Sequence, residues 1–131
     1  MVVKVVDASA VAAVLFAEPE AEAVASRLGD SRLAAPALLS FELANVCLTK
    51  IRRHSTQRDA LMVQFRRLPW LKIESVDVDH MEVVELAEQT KLTTYDASYL
   101  WLTRALETEL VTLDKKLETA ARPRITRGKD K

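Results

Sequence analysis

Four carboxylates, Asp7, Glu42, Asp96 and Asp114, are spread along the chain at positions that an α/β fold can gather into one cleft. Gathered, they repel: at about 4 Å and an effective dielectric of about 20, each close pair costs roughly 4 kcal/mol. A divalent cation removes that cost. Oxygen ligands with no His or Cys among them favour hard ions, Mg²⁺ or Mn²⁺. Such an ion keeps waters and accepts phosphate oxygens, which suits hydrolysis of a phosphodiester. His54 and His80 have no ligand spacing to anything and read as surface residues.

Each acid also has a plainer reading. Asp96 follows Thr93 and Thr94, either of which can cap a helix, and an acid in the first turn suits the positive end of the helix dipole. Asp7 and Asp114 each follow an apolar run, where turn residues and N-caps are common. Glu42 falls between Leu38 and Val46 on the apolar stripe of a helix. Asn45 and Thr49 share its direction, so a polar seam runs through a buried face. An unpaired charge there is expensive. Either Glu42 is salt-bridged, with Arg53 as the candidate partner, or it faces the same cleft as the three aspartates.

The elements that must position these acids alternate. Val2–Val6 is a β-branched run for a central strand, ended by Asp7. Helices follow over Ala8–Ala17 and Glu20–Leu28, closing at Gly29, then a brief strand over Arg32–Ala35. Pro36 suits the first turn of a long helix to Arg53. Gln57–Leu68 is a helix ended by Pro69, and Leu71–Val76 a strand. Asp79 caps a helix over His80–Lys91. Thr93–Leu106 is apolar almost all round and therefore belongs in the middle of the domain. Glu109–Leu113 is a last strand, and a final helical turn or two stops at Pro123. Strands alternating with helices predict a parallel sheet covered on both faces, with sites beyond the strands' carboxyl ends.

Bulk properties bound the rest. The chain has 131 residues, which fits one domain over 1–121 with a basic tail from Arg122 to Lys131. Lys plus Arg and Asp plus Glu both number 19, so no global charge advertises nucleic acid. Cys47 is the single cysteine, which excludes an internal disulfide and suits a reducing cytoplasm. No apolar run is long enough to span a membrane. Asp7, Glu18, Pro19 and Glu20 argue against reading the N-terminus as a secretion signal.

In the order VVDASAVAAVLF, APALLSFELANV around Glu42, TTYDASYLWL at Asp96 and ELVTLDKKL at Asp114, the chain resembles PIN-domain ribonucleases. Within them it is most similar to the VapC-type toxins of toxin–antitoxin pairs. The resemblance implies a PIN-like three-layer α/β/α domain and a Mg²⁺- or Mn²⁺-dependent endoribonuclease, working as a homodimer and silenced by an antitoxin. It places Asp7, Glu42, Asp96 and Asp114 at the acidic metal site and Ser9, Asn45 and Thr112 among its supporting polar residues. The family usually returns to a short last strand, for which Ile125 is a weak candidate here.

Two basic stretches bear on an RNA substrate. Lys50–Arg67 carries six basic residues against Asp59 alone, and the tail from Arg122 carries five against Asp130. Basic groups flanking an acidic cleft hold a phosphate backbone, although a solvated helix face has the same composition. Leu61, Met62 and Phe65, beside Trp70, read either as core or as a groove for an antitoxin helix. Two other readings stand beside the ribonuclease: a receiver-like signalling domain with a phospho-acceptor aspartate, and a PIN fold that binds RNA without cutting it. Against the receiver, Asp7 is followed by Ala8 rather than another acid.

Overall fold

Strand β1 (Val3–Val6) sets the middle of the sheet. Successive strand residues point to opposite faces, and both Val5 and Val6 are wholly buried. Both faces of β1 are therefore covered, as the three-layer reading requires. The computed structural model describes residues 2–122. Beside β1 stand β2 (Arg32–Pro36), β3 (Glu74–Val76) and β4 (Leu110–Val111), in the order β3-β2-β1-β4 and all parallel. The chain steps outward from β1 to β3 and then returns to the other side of β1. The strand order thus reverses between β1 and β4, which is where parallel sheets open a crevice. A receiver-like domain requires the order 2-1-3-4-5. The observed order excludes it.

The helices are α1 (Ala8–Leu15), α2 (Ala21–Leu28), α3 (Leu39–Arg53), α4 (Arg58–Arg66), α5 (His80–Thr90), α6 (Thr94–Ala105) and α7 (Lys115–Ala121). They pack in two sets: α1 against α2 and α3, with α3 against α4, and α6 against α5 and α7. Helix α6 also lies on β1, β2 and β4, as expected of its apolar sequence. Its buried Ser98 and Thr103 hydroxyls donate to carbonyls of their own helix, at Tyr95 and Tyr99. Trp101 Nε1 donates to Glu82 on α5 at 2.8 Å. The all-round burial ends there, because Ala105 and Leu106 are exposed.

Several expected boundaries shift for identifiable reasons. Pro36 closes β2 instead of opening the helix, which starts at Leu39. The ladder to β1 ends at Ala34, so no neighbour there needs the N–H that proline lacks. The strand expected from Leu71 begins at Glu74, since Leu68–Leu71 forms a 3₁₀ turn and Lys72 takes a left-handed φ of 53°. The strand expected over Glu109–Leu113 shrinks to two residues. Beyond it the Thr112 hydroxyl takes the Asp114 N–H and turns the chain into α7. Among the described residues no helix is long and apolar enough to cross a membrane. Pro123–Lys131, and with them the expected strand at Ile125 and nearly all of the basic tail, lie outside the described residues.

The groove expected on α4 is not open. Leu61 is 6% exposed and joins the core, where the Cys47 thiol lies 3.9 Å from its carbonyl oxygen. Met62 and Phe65 pack against the same core, and only Trp70, 76% exposed, stays in solvent. Leu61→Ala therefore lowers stability by about 2–5 kcal/mol. Trp70→Ala leaves it within about 0.5 kcal/mol. Denaturant unfolding of the two variants checks the contrast.

Candidate active site

Register delivers the first pair. Val6 sits opposite Val111 in the β1–β4 ladder, so the chains leave the sheet side by side as Asp7 and Thr112. The Asp7 N–H still reaches the Val111 carbonyl at 3.3 Å. The Asp7 side chain is buried and collects three donors. Ser9 Oγ gives its proton to Oδ1 at 2.7 Å, the Ala10 N–H reaches Oδ1 at 3.1 Å, and Thr112 Oγ1 donates to Oδ2 at 2.6 Å. Both hydroxyl protons are spent on Asp7, so each oxygen is left to accept. Ser9 Oγ takes the Leu113 N–H at 2.9 Å and Thr112 Oγ1 takes the Asp114 N–H at 3.0 Å. The 3.3 Å between the two hydroxyls is then a contact and not a hydrogen bond.

The plainer readings of the aspartates hold alongside this. Asp7 caps α1, and Asp114, exposed at the start of α7, accepts the Leu117 N–H on Oδ1 at 3.0 Å. Thr93 caps α6 by accepting the Asp96 N–H at 3.1 Å, which leaves the Asp96 carboxylate in the first turn. Capping uses Oδ1 of Asp7 and of Asp114. Oδ2 of Asp114 and the Asp96 carboxylate are left facing outward from the helix starts.

Glu42 does not pair with Arg53, which is exposed at the far end of α3. Its partner is a tyrosine: Tyr99 on α6 donates its hydroxyl to Oε1 at 2.6 Å. Tyr99 was hidden in sequence because it sits in an apolar run and packs as core, 1% exposed. Its spacing of three from Asp96, one turn along α6, is the signal that places it near the acids. The polar seam also lies higher than expected, with Glu42 half-buried while Asn45 and Thr49 are exposed. Asn45 lines an open cleft of about 450 Å³ with Glu42 and Ala8 but makes no hydrogen bond to an acid among the described residues.

The acids feel one another. Burial raises Asp7 above the ordinary carboxylate range, against the pull of Thr112, Ser9 and Ala10, and Asp114 adds to the rise. Burial also raises Glu42, with Tyr99 opposing and Asp96 and Asp7 adding repulsion. Asp96 is raised by burial and then by Asp114 and Asp7, with Lys116 pulling the other way. Burial and the neighbouring Glu42 push the Tyr99 hydroxyl far up, so it remains a donor. No Lys or Arg forms an ion pair with any of the four acids among the described residues.

This donor set fits a hard divalent ion. It is all oxygen, crowded with like charge and unneutralised. Among the described residues no three acidic, His or Cys side chains already stand together as an ion cage. Mg²⁺ needs none, since it keeps several waters and takes only one or two carboxylates directly. Both histidines are exposed and apart from the acids, as expected. Of the basic stretch, Lys50 is held by Glu18 at 2.6 Å and Arg58 by Asp59 at 3.2 Å. Arg52, Arg53, Arg66 and Arg67 are exposed without an ion pair among the described residues.

Because the folded state raises these carboxyl groups, it binds more protons than the unfolded chain. Their contribution to stability is full below about pH 4 and is lost as pH rises through the raised values. Asp96→Asn in chelator therefore gains stability over the natural chain, increasingly so from pH 4 to 7. An Asp96 that served only the helix start gives the opposite sign, a loss of about 0.3–1 kcal/mol. Melting curves across that range decide. Tyr99→Phe removes the proton held on Glu42, costs about 1 kcal/mol, and moves the Glu42 carboxyl further up in an NMR titration.

The PIN domain family model matches residues 4–123. Among solved structures, the chain is similar to PAE2754 from Pyrobaculum aerophilum. The two share a TM-score of 0.74 at 24% identity, over 92% of this chain and 87% of that one. That likeness is one of fold. Among curated proteins none matches.

Proposed function

The chain belongs to the PIN-domain family, and from that premise we propose that it is a metal-dependent endoribonuclease, the toxin of a toxin–antitoxin pair. The observation that carries the catalytic reading is the unneutralised carboxylate group at the β1–β4 crevice, with Asp7 fixed by three donors. Asp7, Glu42, Asp96 and Asp114 would hold Mg²⁺ or Mn²⁺. The ion, when bound, supplies a lowered water pKa and charge neutralisation for an in-line displacement at phosphorus.

The chain's own groups do the rest. Ser9 and Thr112 donate hydrogen bonds to both carboxylate oxygens of Asp7, which favours its ionised form against the burial that raises it. Tyr99 keeps the Glu42 Oε1 turned toward α6 and leaves Oε2 to the cleft. The exposed arginines of α3 and of the α4 region are available to phosphates of the flanking backbone. Arg53 lies eleven positions beyond Glu42 on α3, about 16 Å along the axis, which is a few nucleotides away. A PIN fold that bound RNA without cutting it would have no use for four acids that repel the ligand. The homodimer, the silencing antitoxin and a cytoplasmic setting rest on the resemblance of the four motifs to VapC-type toxins.

Cleavage of a generic single-stranded RNA, with Mn²⁺ or Mg²⁺ and with chelator, tests the reading. Glu42→Gln keeps an acceptor for the Tyr99 hydroxyl, so the fold persists, while cleavage falls about a hundredfold or more. A Glu42→Gln protein that cuts like the natural chain removes Glu42 from the site. No divalent-dependent cleavage by the natural chain, freed of any co-purifying partner, removes the nuclease.

A further inference from the structure

Next to Glu42 lies the open cleft of about 450 Å³ lined by Ala8, Leu38, Phe41, Glu42, Asn45, Val46 and Tyr95. Two of its walls are aromatic and turned to solvent: Phe41 is 84% exposed and Tyr95 63%. Phe41 precedes Glu42 on α3, and Tyr95 precedes Asp96 on α6. The two rings therefore stand on the same two helix starts that present the two acids. Both rings remain outside while 26 apolar residues among those described are buried. The floor between them is aliphatic, and besides the Tyr95 hydroxyl the polar side chains of the lining are the Glu42 carboxylate and the Asn45 amide, the amide able to donate and accept.

We propose that Phe41 and Tyr95 seat a nucleobase of the RNA, one that is splayed out beside the scissile phosphate. The proposal rests on the ribonuclease reading and adds to it a seat for one base of the strand, built by residues of this chain. Every base has a π-face, so aromatic rings bind bases without regard to sequence. In an A-form duplex the bases are stacked on each other and unavailable to such rings. The Asn45 amide meets the edge of the seated base. Occupancy by a helix of a protein partner is less well supported, because the cleft holds a carboxylate in its floor and its apolar walls converge on the acids.

Binding of a labelled 12-nucleotide single strand, measured by fluorescence anisotropy in chelator, tests this without any cleavage. Phe41→Leu and Tyr95→Leu each weaken binding by about five- to 150-fold, the worth of one stacked base. Their melting temperatures stay close to that of the natural chain. Abasic substitutions stepped along the strand find one position whose loss weakens binding to the natural chain but not to Phe41→Leu. Duplex RNA of the same sequence binds equally to all three proteins. Unchanged single-strand affinity in both variants overturns the base seat, and divalent-dependent cleavage by the same samples then shows that the nuclease reading survives it. Loss of affinity without any cleavage by the natural chain leaves the base seat standing and overturns the nuclease. Variants that turn from dimer to monomer in sedimentation, with RNA affinity intact, make the cleft a contact between copies and overturn the proposal.

Discussion

The carboxylate of Asp7 is the point on which the rest of the structure turns. Buried charge without partners is expensive, and Asp7 is affordable only because three donors converge on it. Those donors come from the start of α1 and from the end of β4. One side chain therefore caps a helix, fastens the first strand to the last and presents negative charge to the crevice. Ser9 and Thr112 are tied down by the same arrangement, since each hydroxyl passes its proton to Asp7 and takes a backbone N–H in return. The connection from β4 into α7, and with it the place of Asp114, follows from where Asp7 is.

Charge is unevenly distributed over this small fold, although the chain as a whole is balanced. Three acids raised by burial and by neighbouring carboxylates gather at one end of the sheet, and among the described residues Lys116 is the one cation that acts on them. Arg52 and Arg53 lie at the far end of α3, and Arg66 and Arg67 at the end of α4. An anionic polymer crossing such a surface is attracted along its flanks and repelled at the crevice, except where a cation bridges the gap. The same separation gives the metal-free protein a strain that depends on pH.

Much of this was legible in the sequence because the relevant patterns are local. A β-branched run ending in Asp7, and another apolar run ending near Asp114, read directly as strand ends, and the caps at Thr93 and Asp79 read from spacing. What was hidden depended on contacts between distant elements. Tyr99 looks like any aromatic of a buried helix, and only the approach of α3 reveals its hydroxyl on Glu42. Leu61, Met62 and Phe65 have the spacing of either a core stripe or a docking stripe. The choice was made by α3, which packs on α4 and sets its buried Cys47 against Leu61. Pro36 suits both the first turn of a helix and the last residue of a strand, and its pairing with Val76 in the β2–β3 ladder decided for the strand.

The pairing of β1 with β4 has a consequence for the order of events in the cell. Thr112 and Asp7 are 105 positions apart, and at elongation rates of 5–20 residues per second the ribosome needs about 5 to 20 s to travel between them. During that time β1, β2 and β3 can form while Asp7 lacks two of the elements that will enclose it. The crevice closes only when the last strand has left the exit tunnel. Every shorter nascent product has Asp7 without the Thr112 donor. The contacts that fix the Asp7 carboxylate are thus complete only after Thr112 has been made and has met it.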